Sequence, residues 1–380
     1  MQNSCKDDFN TTFSSYQQMQ DYHEQLEKNS QWKRSKISDL SVVALSAESP
    51  LLKNPGAFAA GTSAEAVADT AQNLGLAIWV DGKLYPVRMT AYKSLLDRAK
   101  IGGTVLPKLT REELAQVLNM CLQHCHAETL VLIRNEKVSA VHSGDEADYS
   151  VLPIHELLDT LQKKLDERFP RNEYQNGYCD HAISSAAWIL PEQKEELLGT
   201  YAKMLADTGN KAMASKLMPG IRFMTSDTGV ASAKVSALLM GGQYPIHIGG
   251  CIAVDHRHKT EVTKFHDALD QLFAQFGDSV SKLQKLLEIP LDYPVSAMTR
   301  LCKKLSMPKK AALEAIGMFE MSYGGGPATA HDVFMAMQEI LFILKSEHTP
   351  QSKLLTIEEN LARALTVKWS DYDLAKVVEY

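Results

Sequence analysis

The chain reads as α+β, with antiparallel β-hairpins and packed helices in its core and an all-helical C-terminal part. Three observations predict this class. Two pairs of β-rich runs are joined by short turns, LAIWV–Asp81-Gly82–KLYPV and TLVLIR–Asn135-Glu136–KVSAVHS, and the Asp-Gly dipeptide is one that type I′ turns favour. Ile154, Leu157, Leu158, Leu161 and Leu165 recur at helical spacing between Ile154 and Phe169. Beyond Thr260 the apolar pattern stays helical to the end of the chain.

In order along the chain, the first thirty-six residues carry sparse apolar positions and predict a frayed tail with one helix around Tyr16 to Lys28. Pro50, Pro55, Gly56 and Gly61 mark a loop, so residues 1–62 read as a polar tail and loop. Ser or Thr ahead of AEAVADT predicts a short helix. The first hairpin follows, then two helices, the second opened by the capping box of Thr110 and Glu113. After the second hairpin and the Ile154 helix, His181–Leu190 reads as a strand. Pro191 then starts a helix that Gly209 closes. Gly220 to His258 reads as three β-segments broken at Asp227-Thr228-Gly229 and Gly241-Gly242. Helices are expected at Thr260–Leu287, Val295–Leu305, Lys309–Met321, Ala328–Lys345 and Thr356–Leu365. The division that results is a tail (1–62), an α+β core domain (63–290) and a helical C-terminal domain (291–380).

At 380 residues with 45% hydrophobic and 23% charged positions, the chain has ample material for a core and no mark of wholesale disorder. A net charge of −6 argues against coating duplex DNA by bulk positive charge, although binding responds to the local field. The six cysteines show no disulfide-framework spacing and read as reduced thiols. The opening MQNSCKDDFNTTF lacks the pattern of a leader, and no apolar run approaches the ~20 residues of a membrane span. A cytoplasmic, membrane-free protein is expected.

Several clusters invite chemistry, each beside a plainer reading. Cys121, His124, Cys125 and His126 are zinc-ligand types, yet no second pair is spaced to complete the site, and Cys121 is in phase with the apolar Leu114, Val117 and Leu118. Asp255, His256 and His258, with Asp227, form the donor set of a metal-dependent hydrolase, or else they end a strand and begin a helix. Gly324-Gly325-Gly326-Pro327 precedes a helix as a phosphate loop does, without the Lys-Ser/Thr of a P-loop. Arg300 to Ile316 has the phase of a helix-turn-helix, with Ser306 at the turn and Lys309 and Lys310 opening the second helix. Two antiparallel packed helices give the same pattern. No Gly-x-Ser-x-Gly elbow is present, and no motif calls for a cofactor.

The phrases NEKVSAVHSGDEADYSVLPIHELLDTL, GIRFMTSDTGVASAKVSALL and PATAHDVFMAMQEI resemble the phage- and plasmid-borne family catalogued as domain of unknown function 932. Val141-His142-Ser143 stands for the first family phrase, with Tyr149 displaced by an insertion, and Thr225-Ser226-Asp227-Thr228-Gly229 for the second. Ile248-Gly249-Gly250-Cys251 replaces a third phrase of the Cys-Thr-Asn-Gly kind. The resemblance spans Leu76 to Ile340. It implies a mobile-element or prophage setting and supplies no catalytic residues.

The leading expectation is an accessory protein of such an element that binds nucleic acid, single-stranded by preference, without catalysis. Arg222, Lys234, Arg257, His258 and Lys259 would form one cationic surface and Lys309 and Lys310 a second. A homo-oligomer is expected. The alternatives are a protein-interaction or assembly module docking a partner protein, and a metal-dependent hydrolase or nuclease using Asp227, Asp255, His256 and His258.

Overall fold

A computed structural model describes residues 4–144, 149–241, 245–257, 261–324, 326–376 and 378–380. From the N-terminus the elements are β1 (Asn10–Phe13), α1 (Tyr16–Lys28), β2 (Gln31–Lys36), β3 (Ser41–Ala44), α2 (Ala64–Gln72), β4 (Leu76–Val80), β5 (Lys83–Pro86), α3 (Ala91–Ala99), α4 (Arg111–Leu122), β6 (Glu128–Arg134) and β7 (Lys137–Ser143). There follow α5 (Ile154–Arg168), β8 (Glu173–Asp180), β9 (Ser184–Ile189), α6 (Lys194–Asp207), α7 (Lys211–Lys216), β10 (Met218–Thr225), β11 (Ala233–Met240), β12 (Ile246–Val254) and α8 (Val262–Leu286). The remainder is β13 (Pro290–Leu291), α9 (Pro294–Lys304), α10 (Lys309–Tyr323), β14 (Ala328–Thr329), α11 (Ala330–Met337), α12 (Glu339–Ser346) and α13 (Gln351–Ala362).

The α+β class and the helical C-terminal part are as the sequence predicts. Both hairpins form, with positive φ at Asp81 and Gly82 and at Asn135 and Glu136, the pair of left-handed residues a type I′ turn needs. The Thr110–Glu113 capping box is present in full. The glycine-broken segment is β10–β11–β12, the antiparallel end of a six-stranded sheet in the order β1-β8-β9-β10-β11-β12. Two three-stranded sheets, β2-β6-β7 and β3-β4-β5, are linked by a parallel bridge between Val87 and Val138.

Each sheet is covered by helices whose apolar faces the sequence spaced for that purpose. On the large sheet, Ile221, Phe223, Val235 and Ile248 face the buried stripes of α5, α6 and α8, and Trp188 is fully enclosed among them. Burying a Leu or Phe side chain of this kind contributes about 1.5–3 kcal/mol. The small sheets pack Val131, Val141, Ile78 and Val80 against Leu95 of α3 and Leu114 and Leu118 of α4. Helix α13 lies against the large sheet's other face.

The expectation of a frayed tail is corrected. Helix α1 forms over the span predicted, but β1 pairs with β8 and β2 with β6, so the first thirty-six residues carry two strands of the sheets. Met19 is fully buried beneath them. The polar composition misled because β1 and β2 are edge strands, where backbone pairing rather than side-chain burial holds the segment. Among the described residues no helix is long and apolar enough to cross a membrane.

If the N-terminal segment belongs to the fold, Met19→Ala lowers unfolding free energy by about 2–5 kcal/mol, as core truncations do. Chemical denaturation measures this, and the loss expected for a tail residue is near zero.

Candidate functional site

Thr225, Ser226, Asp227 and Thr228 leave the end of β10 as four consecutive polar residues, and all four are buried. Burial of such groups is costly unless their hydrogen bonds are made, and most of theirs are, although Asp227 Oδ1 has no partner among the described residues. Ser226 Oγ donates to the Ala182 carbonyl at 2.6 Å and accepts from the Thr228 and Val230 amides at 3.2 Å, a local turn that seats the segment on the β8–β9 turn. Asp227 Oδ2 receives Arg134 from the end of β6 at 2.8 Å. Arg134 also donates to Ser30 Oγ at 2.7 Å and lies 3.5 Å from Glu27 of α1. The carbonyl of Asp227 accepts from His142 Nε2 at 2.7 Å and from the Tyr149 hydroxyl at 3.1 Å.

Aromatic rings close this centre on the other side. His142 and Tyr149 stack with centroids 3.7 Å apart, and Tyr149 stacks on His256 at 5.5 Å. His256 Nδ1 donates to the Ser150 carbonyl at 3.1 Å. Burial pushes His142 down to about 4, lowers His256 and raises the Tyr149 hydroxyl well above its ordinary range. Glu27 is raised, first by burial and then by the nearby Asp227. These shifts keep both imidazoles and the phenol neutral near pH 7. The adjoining cavity, lined by Arg134, Asp180, His181, Ser226 and Asp227, measures about 20 Å³, room for a single water rather than a substrate. The centre is suited to bracing three segments together.

Two members of the metal donor set, Asp227 and His256, therefore meet at this centre, but both are already committed to other partners. Asp227 is engaged with Arg134, His256 with Ser150 and the ring stack, and exposed Asp255 accepts from Ser232 at 2.7 Å. His258 lies outside the described residues. Among the described residues no group of three or more His, Cys, Asp or Glu is placed to hold a metal. Cys121 and Cys125 both pack against the small-sheet core, but Cys125 and His126 fall beyond the end of α4, so they share no helix face with Cys121.

The cations of the first predicted surface are placed differently from expectation as well. Arg222 and Lys234 do point from the same sheet face, but α13 covers that face with two carboxylates. Arg222 forms a largely buried ion pair with Glu358, and Lys234 Nζ meets Glu359 at 3.0 Å. They are engaged within the fold rather than displayed as a cationic groove. Arg257 is exposed just past β12, and Lys259 lies outside the described residues. His247, which the sequence suggests could lie beside His256 and His258 in a metal site, instead sits buried on the same face as Arg222 and Lys234, and burial followed by their charges lowers it to about 4. No sequence signal marked Glu358 and Glu359, because the pairing spans more than a hundred residues.

The pair of helices at Arg300 to Ile316 exists as α9 and α10. Ser306 takes the left-handed conformation at the turn, φ 57°, a position where glycine is the usual choice. Ala311, Ala312 and Ala315 of α10 are buried against its helical neighbours. Its outer face carries Lys309 and Lys310 in the first turn, then Leu313, Glu314, Met318, Glu320 and Met321, all exposed, with Met321 80% exposed. Lys310 pairs with Glu347. At the glycine run, Gly324 is the left-handed cap of α10. The next helix start is capped by its own side chains: Thr329 Oγ1 accepts from the Asp332 amide, and Asp332 accepts from the Thr329 amide at 2.8 Å. Those donors are not left open for a phosphate.

Comparison with protein-family models, curated proteins and solved structures finds no match to this chain.

Two outcomes follow from the geometry of the centre. Removing one partner of the Arg134–Asp227 pair, as in Asp227→Ala or Arg134→Met, destabilises by about 3–5 kcal/mol, because the other charge stays buried; denaturation curves read it. Stability also falls with acid. His142 has a folded value of about 4 against an ordinary 6.5, so the unfolded chain takes up the proton first as pH drops. Its contribution is intact above pH 6.5 and is lost as the pH falls through about 4. His142→Gln flattens that slope in a pH series of unfolding free energies, and an unchanged slope counts against the assignment.

Proposed function

We propose that the protein is a binding module that docks another protein through the outer face of α10, working inside the cell as an accessory factor of a phage or integrative element. The observation that supports this reading is the composition of that face. Leu313, Met318 and Met321 are exposed apolar side chains on one helix, and methionines adapt their shape to a partner surface. Glu314 and Glu320 stand exposed on the same helix. A helix lying in a DNA groove meets phosphates on both sides, so acidic residues along its length weigh against nucleic acid, and cations in the first turn alone do not offset them. The pairing of Arg222 and Lys234 with α13 weighs in the same direction. The mobile-element setting rests on the resemblance of the three sequence phrases.

The test is capture with the full-length tagged chain, compared with Leu313→Glu and Met321→Glu. Both positions are exposed, so each variant keeps its stability within about 0.5 kcal/mol. The wild type retains one protein in stoichiometric amount, and either substitution weakens that retention at least about tenfold, equivalent to about 1.4 kcal/mol. Sedimentation of the purified chain shows whether the partner is a second copy. Salt-dependent retention of a single-stranded oligonucleotide, abolished by Lys309→Ala with Lys310→Ala, would replace this reading with the nucleic-acid one.

A further inference from the structure

Arg88 and Lys137 are almost wholly enclosed, with side chains 1% and 0% exposed. Buried cations need anions, and here one anion comes from a segment more than eighty residues away, near the start of the chain. Asp7 Oδ1 accepts from Lys137 Nζ at 3.0 Å and from Arg88 Nη1 at 3.3 Å, and Asp7 Oδ2 accepts from the Met89 amide at 3.0 Å. Asp69 of α2 is the second carboxylate, paired with Lys137 and accepting from the Asp7 amide at 3.1 Å.

Part of the cradle is held without the segment that fills it: Arg88 Nη2 reaches the Asn135 carbonyl of the β6–β7 turn at 3.4 Å, and Lys137 is held by Asp69. The other Arg88 contacts, to the Ser4 and Lys6 carbonyls and Asp7, come from the segment itself. Arg88 Nε is buried and has no protein partner, so the guanidinium keeps donor capacity unused by Asp7. A guanidinium, an ammonium and a backbone N–H converging on two oxygens of one carboxylate is the geometry of an oxyanion receptor. Residues 4–9 lie across it as a strap. The Lys6 carbonyl accepts from Arg88 at 3.0 Å and from His181 Nε2 at 2.7 Å, and Phe9 packs on the His181 ring.

We propose that Arg88, Lys137 and the Met89 amide form a carboxylate-binding site that the chain fills with its own Asp7, and that a small carboxylate ligand can take its place and release the strap. The site stands on residues that the α10 reading does not use, so either can fail alone.

Asp7→Ala empties the cradle while leaving the cations in place. In this variant, formate or acetate raises the melting temperature by about 2–4 °C over chloride at equal ionic strength, as a ligand of the folded state does. Phosphate, larger and tetrahedral, gives less than formate. The wild type and Asp7→Ala combined with Lys137→Met do not respond. A response of Asp7→Ala to formate no greater than to chloride overturns the proposal, and so does a phosphate response exceeding that of formate. Should Asp7→Ala fail to fold, hydrogen exchange of the wild type decides. Formate then speeds exchange of the amides in residues 4–9 at least threefold relative to chloride, and equal rates overturn the site.

Discussion

The contact between Arg134 and Asp227 is the constraint on which the arrangement of the sheets depends. Arg134 ends β6 in one small sheet, and Asp227 follows β10 in the large one. Both side chains are largely buried, at 10% and 4% exposure, so neither charge is free to return to water while the sheets stay together. Such a pair adds little net stability over a well-packed apolar contact, since desolvation cancels much of the attraction. What it adds here is position. Donor and acceptor must meet at 2.8 Å, and the carbonyl of the same aspartate must meet His142 and Tyr149, which fixes the turn after β10 relative to β6, β7 and α1 in one arrangement.

Arg134 and Lys137 flank the two-residue turn of the second hairpin, and each leads into a buried ionic network. Arg134 reaches Glu27 and Asp227, while Lys137 reaches Asp7 and Asp69. The type I′ turn at Asn135-Glu136 therefore sets the separation of the two networks, because its left-handed pair leaves no slack between the strands. Glu136 itself accepts from the Ser63 amide at 2.7 Å, at the start of α2, whose Asp69 serves the second network. The hairpin tip is a hub for segments drawn from the first 70 residues and from the large sheet.

How much of this was legible in the sequence depended on whether the deciding contact was local. The hairpins, the capping box at Thr110 and helix α5 follow from residues within a turn or two of one another, and the sequence identified them. The segment around Asp227 was legible as unusual, since polar residues with a glycine interrupt two apolar strands, but its role was not. Nothing near Asp227 in the chain indicates Arg134, 93 residues earlier. Strands β1, β2 and β8 were missed because their residues alternate weakly or not at all: EYQNGYCD of β8 is stabilised by pairing with β1 and β9 rather than by an apolar face of its own. Arg222 and Lys234 were read as free cations because a sequence displays a charge and conceals its partner.

The same point bears on the two ways of reading α10. In the sequence, Lys309 and Lys310 opening a helix after a turn resemble the entry of a recognition helix into a groove. Folding settles which side chains of that helix are spent on packing, and they are the small ones, Ala311, Ala312 and Ala315, together with Ile316 and Phe319. The residues left outward are long: two lysines at one end, then leucine, methionine and glutamate. A phosphate-lined groove favours cations along the whole length of such a face and gains nothing from Met318 or Met321. An apolar partner surface rimmed by charge gains from both, because the methionines lose water on contact while Lys309 and Glu320 stay wet at the edge. The same helix that carries the strongest sequence hint of DNA thus carries, once its buried face is known, the composition suited to protein.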